Sequence, residues 1–117
     1  MGRITTHVLD ISAGTPAAGM RIELYEFVGA APCLIMQTRA NQQGRCERPL
    51  VEGSAMHVGR YMLTFHVAEY FREHGVALRE PPFLDEIELR FGISAPEESY
   101  HVPLLVSPWS YSTYRGS

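Results

Sequence analysis

Gly59-Arg60-Tyr61-Met62-Leu63-Thr64-Phe65-His66-Val67-Ala68-Glu69-Tyr70-Phe71-Arg72-Glu73-His74-Gly75 changes its period halfway along. The first part, Tyr61 to Phe65, is rich in residues that favour strands. From Val67 onward the pattern is helical: Val67, Tyr70, Phe71 and His74 fall at i, i+3, i+4 and i+7 and make one apolar face. Gly75 stands where a helix ends on a residue able to take positive φ. The segment therefore predicts a strand running directly into one short helix of about two turns.

On either side of this segment the chain reads as strands and turns. Ile4 to Ile11 is a β-branched run, and Ser12 to Gly19 is turn chemistry with Gly14, Pro16 and Gly19. Met20 to Phe27 sets Ile22 and Leu24 against Arg21, Glu23 and Tyr25, the period of a half-buried strand. Cys33 to Arg39 follows, then the polar loop Asn41-Gln42-Gln43-Gly44-Arg45. Beyond the helix, Pro81-Pro82 marks a loop. Leu84 to Phe91 alternates again, Ser94 to Glu98 is a turn, and Tyr100 to Val106 and Ser110 to Tyr114 are the last strands. Pro103 within a strand run predicts an edge position or a bulge. Seven or eight short strands with a single helix predict an all-β fold, a two-sheet antiparallel sandwich. A parallel α/β sheet would need helices between most of its strands.

The 117 residues fit one domain, 1–117. A domain of this size buries roughly two thirds of the surface of its unfolded chain, enough for a core without staples. Hydrophobic residues make up 45% and charged residues 20%, which argues against a disordered chain. The net charge of −3, with both signs scattered, gives no basic footprint for nucleic acid. No apolar run approaches a membrane span. The segment Met1 to His7 has no apolar stretch of the signal-peptide kind, so the expected compartment is the cytoplasm. Cys33 and Cys46 are too few for a disulfide framework or a four-thiolate zinc site. One bridge is open to them, but in a chain without an export signal two reduced, partly buried thiols are the favoured reading.

Several chemistries have no motif here. There is no G-x-S-x-G elbow, no phosphate-binding G-x-x-x-x-G-K-[ST] loop and no H-E-x-x-H pair. His57 and His66 lack partners at ligand spacing, and His74 suits a helix end, where a cation is mildly favoured. These three are read as structural or surface residues.

Three other segments are more specific. They are Thr5-Thr6-His7-Val8-Leu9-Asp10 with Gly14-Thr15-Pro16-Ala17-Ala18-Gly19, then Asn41-Gln42-Gln43-Gly44-Arg45, then His101 through Ser117 with its ending Tyr114-Arg115-Gly116-Ser117. In this order, and spanning the whole chain, they resemble the 5-hydroxyisourate hydrolases of the transthyretin-related family. The terminal tetrapeptide is that family's hallmark. The departures are mild: Asn-Gln-Gln-Gly before Arg45 where an acidic or small residue is more usual, and Trp109-Ser110 where many relatives have an aromatic and a glycine.

The resemblance implies a transthyretin-like sandwich that hydrolyses 5-hydroxyisourate to 2-oxo-4-hydroxy-4-carboxy-5-ureidoimidazoline in urate degradation. No metal, nucleotide or organic cofactor is implied. It also implies a homotetramer, a dimer of dimers with sites in the groove between dimers. His7, Arg45, His101 and Ser117 are the implied catalytic set, and His7, Arg45, Tyr114 and Ser117 the implied substrate contacts. The rival is a carrier of the same fold that holds a small molecule without catalysis; such carriers look different at the histidines and lack the Tyr-Arg-Gly-Ser ending.

The residue types suit the hydrolysis. A cyclic amide carbonyl is attacked by water, and a histidine takes a proton near neutral pH without assistance. Arginine offers a planar, permanently charged fork for an anion or a developing oxyanion. A hydroxyl such as that of Ser117 can orient water or substrate. By alternation His101 shares a face with Pro103, Leu105 and Ser107, opposite the larger apolar run, so it points away from the core. The reading favours His101 as base or base-orienter and His7 as stabiliser of substrate or intermediate. It leaves their division of labour open. Arg45 in a polar loop, Tyr114 in a terminal strand and Arg115 as a tail-fixing charge each also have an ordinary structural reading, and Arg115 carries the least weight.

Overall fold

The computed structural model describes all the residues, Met1–Ser117. In chain order the elements are β1 (Arg3–Asp10), β2 (Thr15–Pro16), β3 (Arg21–Val28), β4 (Ala31–Arg39), β5 (Val51–Glu52), β6 (Gly59–Phe65), α1 (Val67–Glu73), β7 (Ile87–Ile93), β8 (Ser99–Val106) and β9 (Tyr111–Thr113), with a 3₁₀ turn at Gly53–Ala55. They form two facing sheets. One runs β2-β1-β8-β9, with β5 also on β1; the other runs β4-β3-β6-β7. This is the predicted two-sheet sandwich with one short helix. The pairings are antiparallel except for β1 with β8, which is parallel, Thr5 opposite His101 and His7 opposite Pro103. The two-residue strands β2 and β5 have no signal of their own in the sequence.

Alternation decides which side chains are buried. Ile4 and Val8 of β1, Ile22 and Leu24 of β3, Leu63 and Phe65 of β6, and Leu104 and Val106 of β8 enter one continuous core. α1 closes one end of it with Val67, Tyr70 and Phe71, and Gly75 follows at φ +78 as the helix ending predicted. Buried Asp10 ties this end together. Its carboxylate accepts the Tyr70 hydroxyl at 3.0 Å, and the Ser12 and Ala13 amides at 3.0 and 3.1 Å. Burial and the Asp10 carboxylate push the Tyr70 phenol well above its ordinary pKa.

Two strand expectations change. The strand expected from Leu84 begins only at Ile87. Asp85 is used otherwise: its carbonyl accepts the Ala68 amide at 3.0 Å, one of the donors that a helix N-terminus leaves open. Pro103 lies neither on an edge nor in a bulge, since β8 sits between β1 and β9. Its carbonyl faces β9 and accepts the Thr113 hydroxyl at 2.7 Å. In a strand a residue's N–H and C=O point to the same side, so the missing donor also faces β9. The β8–β9 pairing starts only at Leu104, so no ladder bond is lost there.

The cysteines are unpaired. Cys33 is exposed on β4 rather than partly buried, while Cys46 is partly buried, and burial pushes its thiol up to about 11. The three histidines read as structural have structural partners. His66 is buried against Glu23 at 2.9 Å, His57 meets Glu26 at 2.9 Å, and His74 Nδ1 meets the Tyr70 carbonyl at 2.9 Å. No helix is long and apolar enough to cross a membrane.

Candidate active site

β1 and β8 present their odd-numbered residues on the outer face of their sheet. Arg3, Thr5 and His7 project from one, Ser99 and His101 from the other, while Thr6, Val8, Val102 and Leu104 are buried behind them. The parallel register sets His7 two residues along from the position opposite His101. Strand spacing and rise put the two backbones about 8 Å apart. His101 therefore points away from the core, as alternation predicted, and shares its face with His7.

Arg45 reaches this face because the loop before it is folded back onto β1. Asn41 organises the loop: its Oδ1 accepts the Gln43 and Arg45 amides at 2.9 and 3.1 Å, and its own amide donates to the Arg45 carbonyl at 2.7 Å. Gly44 is required twice over. Its φ is +77, and a Cβ there would lie 2.4 Å from the Val8 carbonyl. Its own carbonyl accepts the Val8 amide at 2.8 Å, and Arg45 bridges to His7. The outer edge of β1 is thus covered in turn by β5, by Arg45 and by β2.

The carboxy-terminal segment runs on from β9 along the edge of β8, beside His101. The Gly116 amide donates to the His101 carbonyl at 2.7 Å, and Ser117 follows it. Arg115 fixes this segment. Its guanidinium donates to Glu98 and to the Ser99 carbonyl, both at 3.1 Å, and lies 4.2 Å from the centre of the Tyr100 ring. The residue given least weight from sequence is the anchor of the tail. Gly116 does not have a positive φ, so left-handed backbone is not its reason. It is there for close approach, since a Cβ would stand 2.7 Å from His101 Cδ2.

A cavity of about 200 Å³ opens beside His101, with Thr5, Arg45, Cys46 and Arg48 among its lining residues. His7 is not among the lining residues; it stands on the same outer face, two residues along β1 from Thr5. Burial, then Arg45, then His7 lower the His101 pKa below its ordinary value. Burial and then Arg45 lower that of His7, against a contact with the Gln43 backbone that raises it. Both imidazoles are neutral near neutral pH, the form that can accept a proton. Tyr114 is not in this group. Within one chain it lines, with Arg115, a larger cavity of about 410 Å³ between β7 and the tail. Sequence reasoning missed Thr5 and Asn41. Thr5 had one signal, its place on the His7 face. Asn41 had its position in an Asx-turn-forming loop. No group of three or more His, Cys, Asp and Glu side chains is placed to hold a metal ion.

A sandwich with two neutral histidines and an arginine on the outer face of one sheet defines a class: a transthyretin-type domain carrying a small polar site. The chain matches the family model described as the HIUase/Transthyretin family over residues 4–116, and it belongs to that family. It is 55% identical, over the full length of both chains, to a 5-hydroxyisourate hydrolase of Ralstonia nicotianae. Its structure resembles that of an (S)-allantoin synthase with TM-score 0.93 and 47% identity, covering 99% of this chain and 44% of that one. It also resembles sea bream transthyretin solved with thyroxine, with TM-score 0.87 and 24% identity over 97% and 94% of the two chains, a likeness of fold alone.

Proposed function

We propose that the chain hydrolyses 5-hydroxyisourate, the substrate in the name of its Ralstonia relative, and that the product is 2-oxo-4-hydroxy-4-carboxy-5-ureidoimidazoline. Sea bream transthyretin, solved in complex with thyroxine, has the same fold, so the fold does not choose between catalysis and binding. The observation that carries the reading is the placement of His7 and His101 on one open face, with Arg45 bridged to His7 and lining the cavity beside His101.

The product's carboxyl and ureido groups are the two ends of an opened cyclic amide. Water adds its oxygen to the ring carbonyl carbon, the carbon–nitrogen bond breaks, and the departing nitrogen gains a proton. His101 takes the proton from water and passes it on. Its Nδ1 is engaged by Thr5 at 2.8 Å, which leaves Nε2 for water. His7 and Arg45 hold the substrate and the developing negative oxygen. Ser117, beyond the Gly116–His101 bridge, offers a hydroxyl to water or substrate. Nuclear magnetic resonance tests the product. With ¹³C-labelled substrate made by urate oxidase, the new carboxylate carbon should appear faster with the protein than without it. A carrier would leave the spontaneous time course unchanged or slow it.

The direction of the histidine shifts gives a pH prediction. The working form is neutral and both pKa values are depressed, so activity is kept through neutrality and lost as pH falls. kcat/KM should be level above neutrality and decline on the acid side with a midpoint below about 6.5, the unperturbed histidine value. A midpoint above that value would contradict neutral histidines as the working groups. Arg45→Lys should lower kcat/KM by about ten- to a hundredfold, because an ammonium does not reproduce the fork; steady-state kinetics checks this.

The assembly supported by family membership is a tetramer, a dimer of dimers. The edges of β7 and β9 are each unpaired on one side, and such edges gain from pairing with another chain. In that arrangement Tyr114 reaches substrate from a neighbouring subunit. Light scattering at micromolar concentration should give a tetramer mass, and a fully active monomer would refute a shared site.

A further inference from the structure

We propose that Thr5 is a positioning residue for this hydrolysis: its hydroxyl accepts the Nδ1–H of His101, locks the imidazole, and leaves Nε2 bare to take the proton of water. The proposal rests on the hydrolase reading above and deepens it.

Three observations carry it. The parallel register puts Thr5 directly opposite His101, on the same outward face, and Thr5 Oγ1 lies 2.8 Å from His101 Nδ1. The neighbouring Thr6 serves as an internal contrast. Its side chain enters the core, and its hydroxyl is spent on the Val102 carbonyl at 2.7 Å, an ordinary structural bond. Thr5 Oγ1 is not committed to a backbone carbonyl, and because it lines the open cavity its own proton can go to solvent while its oxygen accepts from the His101 ring. Finally, the ring is confined elsewhere too, since Gly116 packs so close that a Cβ would come within 2.7 Å of His101 Cδ2.

The chemistry follows from the inventory of a neutral imidazole, in which one nitrogen donates and the other accepts. A free imidazole side chain prefers its proton on Nε2, which would block that nitrogen as a base. An acceptor fixed at Nδ1 reverses the preference. Threonine is suited to this because its branched Cβ restricts χ1, so the strand backbone sets where Oγ1 points. The charged and titratable groups around the ring are Arg3 and His7 from β1 and Arg45, Cys46, Glu47 and Arg48 from the loop. None of them hydrogen-bonds Nδ1.

The test uses Thr5→Val, which keeps the shape and removes the hydroxyl, and Thr5→Ser, which keeps the hydroxyl. Thr5→Val should lower kcat by about ten- to a hundredfold with little change in KM, because a misdirected base loses orientation and not binding. Its acid limb should move to lower pH, because the imidazolium loses a hydrogen-bond acceptor. Thr5→Ser should stay within about threefold of wild type, its looser χ1 being the only loss. ¹⁵N nuclear magnetic resonance of His101 should show the proton on Nδ1 in wild type and a shift toward the Nε2–H tautomer in Thr5→Val. The proposal is overturned if wild type carries the proton on Nε2, if Thr5→Val keeps kcat within about twofold of wild type, or if Thr5→Ser is as impaired as Thr5→Val. A wild-type protein that does not hydrolyse 5-hydroxyisourate would sink the hydrolase reading, while the tautomer measurement would still stand, so the two failures are told apart.

Discussion

His101→Asn is expected to fold as wild type and to lose about two to four powers of ten in kcat, the usual contribution of a positioned general base. His101 is half-buried on the outer face of β8, and its neighbours Tyr100, Val102 and Leu104 do the packing. Asparagine fits the same strand position and can still meet the Thr5 hydroxyl through its amide, but it has no nitrogen that titrates near neutrality. Circular dichroism and the urea midpoint should therefore be close to wild type while turnover falls. KM should change little, since substrate holding is assigned to His7 and Arg45. A variant with near-wild-type kcat would remove His101 as proton acceptor and make His7 the candidate.

Removal of residues 114 to 117 should leave the sandwich intact and abolish nearly all activity. Terminal segments are usually frayed and tolerant of change. This one is held by Arg115 on Glu98, Ser99 and Tyr100, and by the Gly116 amide on the His101 carbonyl. β9 does not need it: Tyr111–Thr113 keep their pairing with Leu104, Leu105 and Val106, and the Thr113 hydroxyl keeps the Pro103 carbonyl. The Arg115 bonds lost are exposed ones, which contribute little to stability. What goes is the wall beside the catalytic imidazole and the Ser117 hydroxyl. If the truncated protein turns over as fast as the full chain, the site must be redrawn around His7, Arg45 and His101 alone.

Much of the fold could be read from the sequence because alternation and helical period are local. Ile22 and Leu24 against Arg21 and Glu23 marked β3, and Val67, Tyr70 and Phe71 marked α1. The face on which His101 lies was equally legible. What local pattern does not hold is register between distant strands. The β1–β8 pair joins residues 96 apart in sequence, as the Thr5–His101 contact shows. Nothing along either strand says that they run parallel or that Thr5 meets His101. The short strands β2 and β5 are set by what covers the edge of β1, not by propensity. Pro103 misled for the same reason: a central strand tolerates it only because β9 stops one residue short. Within the site, His7, Arg45, His101 and Ser117 came from resemblance, since a lone histidine on a strand or an arginine in a polar loop reads as surface without it. Arg115 and Gly116 acquire their reasons only from tertiary contacts.

The most direct test is the ultraviolet decay of 5-hydroxyisourate, generated in the cuvette from urate by urate oxidase, followed with and without the protein. The account predicts a decay far faster than the spontaneous one, proportional to protein concentration and unaffected by chelator. A decay rate unchanged at micromolar protein would contradict it.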